Sequence, residues 1–332
     1  MEKSLDSILR DCPQNKIIGE NFIRAWAKIN SPLYKNKMCA ISGGSDSDIM
    51  LDICSRVNKN NDIQYVWVDT GLEYQATKEH LKYLEDKYGI EIVSAKAIKP
   101  IPIACKEYGQ PFLSKIVSEY ISRLQKHGFQ WEDRSYEELS EKYQNCNVAL
   151  KWWTNLCGEK SRFNISYNKW LKEFMIINPP TFRISNKCCM YAKKNVTKKY
   201  KKENHIDLGI VGVRKAEGGA RASAYKTCFS CNDDGSDEYR PTWWYLNETK
   251  KQYEDAYGII HSKCYSEYGL KRTGCAGCPY GRDFEYELGI IKKYESKLYV
   301  AVNNIFGDSY EYTRKYREFV KEMNQKENMT VK

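Results

Sequence analysis

The chain has 332 residues, 42% of them hydrophobic and 29% charged, which suits one large or two ordinary packed domains and excludes wholesale disorder. Its net charge of +10 favours an anionic partner such as a nucleotide or nucleic acid, although a solvated Lys- and Asn-rich surface gives the same sum. No run approaches about 18 apolar residues and the opening MEKSLDSILRDCPQ lacks a signal-peptide core, so a cytoplasmic protein without membrane association is expected.

In chain order, residues 1–34 read as a helical lead-in. Four short Ile- and Val-rich runs at 37–42, 64–69, 91–95 and 207–213 read as buried parallel strands. Amphipathic helix-length segments at 46–58 and 75–88 separate the first three. That alternation predicts an α/β fold with a doubly wound, mostly parallel sheet. An α/β domain is expected over 35–222, interrupted by an aromatic, helical insertion near 105–184. Residues 223–332 form a cysteine-rich and then helical region, and the final KENMTVK is expected to fray. There is no internal repeat, and the basic run 193–202 is the one strongly charged tract.

The first strand runs into Ser42-Gly43-Gly44-Ser45-Asp46-Ser47 and then a helix. Such a turn offers backbone N–H groups and the positive helix end to an anion. Gly43 and Gly44 permit close backbone approach, Ser42 and Ser47 add hydroxyls, and Asp46 can order the loop or hold Mg²⁺. The lysine that closes a Walker loop is missing. Val68-Asp69-Thr70-Gly71-Leu72-Glu73-Tyr74 closes the second strand, at the carboxyl edge where open α/β sheets bind ligands. Gly212-Val213-Arg214-Lys215-Ala216-Glu217, followed by Arg221, closes the fourth, and arginines placed there can bracket phosphates. Taken singly, these would be ordinary turns and solvated cations.

Thirteen cysteines without a secretion signal favour metal or cluster ligands over a disulfide scaffold. The informative set is Cys188-Cys189 with Cys275-Ala276-Gly277-Cys278. Neighbouring side chains diverge, so a vicinal pair suits the separate corners of an iron–sulfur cubane better than tetrahedral zinc. A four-cysteine zinc site on Cys228, Cys231, Cys275 and Cys278 is the alternative, at a longer interval than zinc ribbons use. Cys228 or Cys264 replacing one member of the vicinal pair is another. Cys12, Cys39, Cys54, Cys105, Cys146 and Cys157 stand singly and read as buried apolar fillers.

SGGSDS resembles the PP-loop of the adenine nucleotide α-hydrolase-like superfamily. VDTGLEY and GVRKAE…R resemble the second and third motifs of its phosphoadenosine phosphosulfate (PAPS) reductase branch. The resemblance implies that Ser42, Gly43, Gly44, Ser45, Asp46, Ser47, Asp69, Thr70, Gly71, Glu73, Arg214 and Arg221 bind ATP or a related adenine nucleotide with Mg²⁺. It implies catalytic roles for Asp46, Ser47, Arg214 and Lys193. The cysteine set is similar to that of adenylylsulfate-using reductases, where it ligates one [4Fe–4S] cluster, and Cys275 follows Cys189 by 86 positions. Lys193 occupies the place of a lysine found after the vicinal pair in that family, but Ala192 stands where an arginine is expected. Arg240-Pro241-Thr242-Trp243-Trp244-Tyr245 is similar to a further motif of the branch; its tryptophans are expected to cover the join between sheet and cluster, with adenine stacking as the alternative. Trp152-Trp153 reads as insertion core.

Reductases of this kind attack sulfur with a thiolate near the chain end, whereas no cysteine follows Cys278 here. Reduction is therefore disfavoured unless Cys228, Cys231 or Cys264 takes that part. The strict loop resembles ATP-cleaving members, which release pyrophosphate before a nucleophile displaces AMP. The expected function is cleavage of ATP to AMP and pyrophosphate for sulfur transfer. The run 193–202 suits a nucleic-acid acceptor, and the donor would be a cysteine desulfurase or thiol carrier. A sulfite-forming sulfonucleotide reductase and a nucleotide sensor with a structural cluster are the alternatives. A homo-oligomer is compatible with all three.

Overall fold

A computed structural model describes residues 4–218, 224–232 and 235–330. The chain divides into two units, 1–98 with 193–275 and 99–192 with 276–332.

The first unit is built on six strands: β1 Lys37–Ile41, β2 Ile63–Asp69, β3 Ile92–Lys96, β4 Leu208–Val211, β5 Phe229–Ser230 and β6 Asp237–Tyr239. Their order is β3-β2-β1-β4-β6-β5, parallel throughout except for β5 against β6. The doubly wound, mostly parallel α/β sheet is as expected, and its four anticipated strands are in place. The chain winds outward from β1 to β2 and β3, then returns to the other side of β1 as β4. The carboxyl end of β1 is therefore the switch point, and the Ser42–Ser47 loop begins there.

Helix Lys16–Ile29 starts at Asn15, whose side-chain oxygen accepts from the N–H groups of Ile17 (2.9 Å) and Ile18 (3.2 Å). Its Ile18, Phe22, Ala25 and Ile29 fall at helical spacing and join Ile49, Ile53 and Val57 of helix Ser45–Val57 in the main core. Cys39 and Cys54 lie buried in that core with their sulfurs 3.9 Å apart.

The second unit is helical and aromatic. Phe112, Trp152, Trp153, Phe174, Tyr312 and Tyr316 are buried in one cluster, with Trp153 Nε1 donating to the Glu132 carbonyl at 2.9 Å. Segments such as Tyr136–Lys142, Asn147–Trp153 and Leu171–Ile177 have only seven residues each, too few for a stable helix in isolation. Helix Ser296–Thr330 supplies Tyr312 and Tyr316 to their core. The expected C-terminal region 223–332 is thus shared: 223–275 goes with the sheet and 276–332 with the insertion. No helix among the described residues is long and apolar enough to cross a membrane.

Gly212, just past β4, sets how closely that strand approaches the loop. A Cβ there would stand 3.0 Å from the Asp46 carbonyl oxygen and 3.1 Å from Ser47 Cα, both backbone atoms. Gly212→Ala should cost about 1–3 kcal/mol, read as a lower urea midpoint at unchanged slope.

Candidate nucleotide site

In the loop, Gly43 takes a left-handed φ of +67°, and its Cα faces the Thr77 methyl so closely that a Cβ would stand 2.8 Å away. Three of the loop's N–H donors are occupied by hydroxyls. Ser42 N–H donates to Ser47 Oγ (2.9 Å), Gly44 N–H to Ser42 Oγ (3.3 Å) and Ser45 N–H to the Tyr265 hydroxyl (3.1 Å). A charged phosphate oxygen is a stronger acceptor than these neutral groups, so the turn is arranged to exchange them for an anion.

Two cations meet on Asp46. Arg214 Nε donates to Asp46 Oδ1 at 2.8 Å, and Lys250 Nζ lies 2.9 Å from the same oxygen. Arg214 is nearly buried and is further fixed by the Tyr245 carbonyl (3.3 Å) and Asn247 Oδ1 (3.0 Å). Lys250 also donates to Ser45 Oγ at 2.5 Å. A lysine does reach the loop, carried by helix Asn247–Tyr257 about two hundred residues downstream. Sequence reading missed it because Lys250 and Lys251 stand together in a polar stretch with no motif.

That helix is clamped to the loop's own helix at each turn. Tyr253 donates to the buried Asp52 at 2.6 Å, and Arg56 lies 3.9 Å over the Tyr257 ring. His261 bridges the next pair, with Nδ1 at 2.7 Å from Asp48 Oδ2 and Nε2 at 2.8 Å from Glu254 Oε1. His80 Nε2 stands 3.0 Å from that Asp48 oxygen. Burial disfavours the His261 cation, but its two carboxylate partners outweigh this and push its pKa up to about 9.

Past β2, Thr70 closes a small turn by donating its N–H (3.2 Å) and its hydroxyl to Glu73. Gly71 N–H donates to Asp69 Oδ1 (3.0 Å), and Lys96 lies 2.6 Å from Asp69 Oδ2. Burial raises the Glu73 pKa, and the charge of Lys193 opposes that rise. Lys193 is thereby placed beside the second motif. Arg221 lies outside the described residues.

The cysteines divide between the units. In the first, Cys275 Sγ lies 3.8 Å from the Thr70 hydroxyl oxygen, and Cys264 is buried 3.6 Å from that of Thr77. Cys228 and Cys231 flank β5, four strand spacings from β2, or about 19 Å. The sheet therefore does not bring them to Cys275, and nothing favours the zinc set that needs both pairs. Trp243 is buried and Trp244 is exposed at that same far edge, where Trp244, Tyr239, Pro241 and Arg24 line a cavity of about 300 Å³. In the second unit, the buried Cys188 thiol is held above its ordinary range, chiefly by Cys105, then by burial and the charge of Cys278, with Cys189 opposing. Tyr280 is buried in the field of Cys188, Cys189 and Cys278, with Ser118 in hydrogen-bonding reach of its hydroxyl. The gathering of Cys188, Cys189 and Cys278 in one field suits a thiolate-held inorganic group. Among the described residues, no group of three or more His, Cys, Asp or Glu side chains is placed to hold a metal ion.

Residues 36–114 match the family model of the phosphoadenosine phosphosulfate reductase domain. That stretch is under a quarter of the chain and is similar to a PAPS reductase domain. An uncharacterized protein of Methanocaldococcus jannaschii is 32% identical over 118 residues, which is 33% of this chain and 23% of that protein. The aligned part thus spans under a quarter of that relative's length. PAPS reductase from Candida auris, solved as a phosphate complex, aligns with a TM-score of 0.41 at 12% identity over 83% of this chain and 95% of its own. The U34-tRNA thiolase NcsA from Methanococcus maripaludis, solved with its [4Fe–4S] cluster, aligns with a TM-score of 0.38 at 12% identity, over 92% of this chain and 80% of that one. The stretch matched by the family model includes both the Ser42–Ser47 loop and the Asp69–Glu73 turn.

The His261 bridge has a pH signature. Its folded pKa of about 9 exceeds the unfolded value of 6.5, so its stabilisation is fully present below pH 6.5 and is lost as pH rises through 9. The melting temperature should fall over that window in the wild type, and His261→Gln should flatten this part of the profile.

Proposed function

We propose that the chain is an adenine-nucleotide enzyme that splits ATP to AMP and pyrophosphate and uses the activated intermediate for sulfur transfer onto nucleic acid. The observation that carries this reading is the loop itself: exchangeable backbone donors at the sheet's switch point, with Arg214 and Lys250 converging on Asp46. Charge developing on a leaving pyrophosphate would be met by fixed donors and cations in a largely buried setting. Asp46 would hold Mg²⁺, which supplies Lewis-acid stabilisation of that charge. Glu73 and Lys193, beside the second motif, would orient the nucleoside side.

Cys188, Cys189 and Cys278 would hold a [4Fe–4S] cluster, with Cys275 as the fourth thiolate of the sequence motif and Cys105 next to Cys188. Such a group handles sulfur or electrons when bound. The exposed lysines of helix Asn195–Glu203 support a polyanionic acceptor.

Asp46→Ala should lower pyrophosphate release from saturating ATP by at least about a hundredfold, the scale of a lost transition-state contact. Unchanged release would overturn the mechanism. For the cluster, anaerobically purified protein should contain about four irons and four sulfides per chain, and Cys188→Ser should lose most of the iron. The match to a PAPS reductase domain supports a second reading, reduction of a sulfonucleotide. Sulfite formed from PAPS and a thiol, without pyrophosphate release from ATP, would select it.

A further inference from the structure

We infer that Lys250 reads the terminal phosphates of the bound nucleotide, so that helix Asn247–Tyr257 supplies the cation the loop lacks and sets a preference for ATP over AMP. The inference rests on the preceding reading that the loop holds the pyrophosphate half of an adenine nucleotide.

Position makes the first argument. Lys250 Nζ is 2.5 Å from Ser45 Oγ, inside the loop, and its side chain is 15% exposed, so it is sheltered but reachable from solvent. The nearby Arg214 has a different character. Its guanidinium is spread over Asp46, the Tyr245 carbonyl and Asn247, which fixes it as part of the frame. Lys250 is a compact ammonium on a flexible stem, and its two nearest partners, Ser45 and Asp46, are both loop residues. A phosphate entering the loop therefore meets Lys250 without unfolding anything else.

The second argument is that the helix stays in place when Lys250 turns. Tyr253 on Asp52 and Glu254 on His261, itself on Asp48, anchor the next turn independently. Glu254 Oε1 lies 3.6 Å from Lys250 Nζ and keeps the ammonium near the loop. Lys251, one position on, is exposed and has no ion pair among the described residues. It serves as a control with the same charge on the same helix.

The test is calorimetric titration of the full chain with Mg-ATP and with AMP. Lys250→Gln keeps an N–H donor on a side chain one bond shorter while removing the charge. It should weaken ATP binding by about 10- to 100-fold, the range for a lost charge-assisted hydrogen bond, and change AMP binding by less than about threefold. Lys251→Gln should change neither. ATP binding unaltered in Lys250→Gln, or equal losses for ATP and AMP, overturns the inference, because a structural role would affect both nucleotides. If Lys250→Gln does not fold, amine acylation of the wild type followed by mass spectrometry decides. Inorganic pyrophosphate should protect Lys250 from modification and AMP should not, and equal rates with either overturn the proposal. A wild-type chain that binds neither ATP nor pyrophosphate contradicts the nucleotide reading itself, an outcome distinct from a failure confined to Lys250.

Discussion

The site depends on an acidic face that must be neutralised. Helix Ser45–Val57 carries Asp46, Asp48 and Asp52 toward the protein interior, and Asp48 and Asp52 are almost wholly buried. Carboxylates in that setting are costly unless paired and hydrogen-bonded. Their partners come from far along the chain: Arg214 and Lys250 for Asp46, His261 for Asp48, Tyr253 and Tyr88 for Asp52, with Arg56 from one turn on. Because Asp46 and Asp52 take partners from successive turns of helix Asn247–Tyr257, and Asp48 takes His261, which is itself tied to Glu254 of that helix, a slip of the helix would leave several buried charges unmatched. The same contacts that offset the desolvation cost thus fix the position of two cations at the nucleotide loop.

The sheet places this face where chemistry is available. Strand order reverses across β1, so the loop opens at the switch point, and β4 returns beside it with Gly212 allowing contact at backbone distance. The long excursion between β3 and β4 leaves the sheet intact because it builds a separate aromatic core with Tyr312 and Tyr316. Short helices that could not persist alone are held there by one 35-residue helix.

Much of this was legible in the sequence, for identifiable reasons. Short apolar runs announce β1, β2 and β4, and Ile92-Val93 marks β3, which lies at the sheet edge and buries only Ile92, whereas β5 and β6, of two and three residues, are too short to show a period. Arg214 could be found because it follows a strand in a motif. Lys250 could not: its sequence neighbours ETKKQ look solvated, and only the placement of Asp46 distinguishes it from Lys251. His261 is hidden in the same way, since a single histidine in a loop gives no sign of two carboxylate partners. Cys105 looked like a core filler, yet it is the leading influence on the Cys188 thiol, because helix Ile101–Tyr108 packs beside Cys188 in the second unit.

The source of the lysine has a mechanical consequence. A Walker loop carries its lysine on the phosphate-binding turn, so cradle and cation form from one segment. Here the turn supplies backbone donors and the cation arrives on another helix, held by the pairs that neutralise Asp48 and Asp52. On the proposed reading, phosphate recognition is coupled to packing: weakening the Asp52–Tyr253 or Asp48–His261 contact would shift the lysine as well as the fold. The absence of a lysine from Ser42–Ser47 is compatible with tight phosphate binding, because the buried carboxylates that helix stability requires to be paired also bring Lys250 to Ser45.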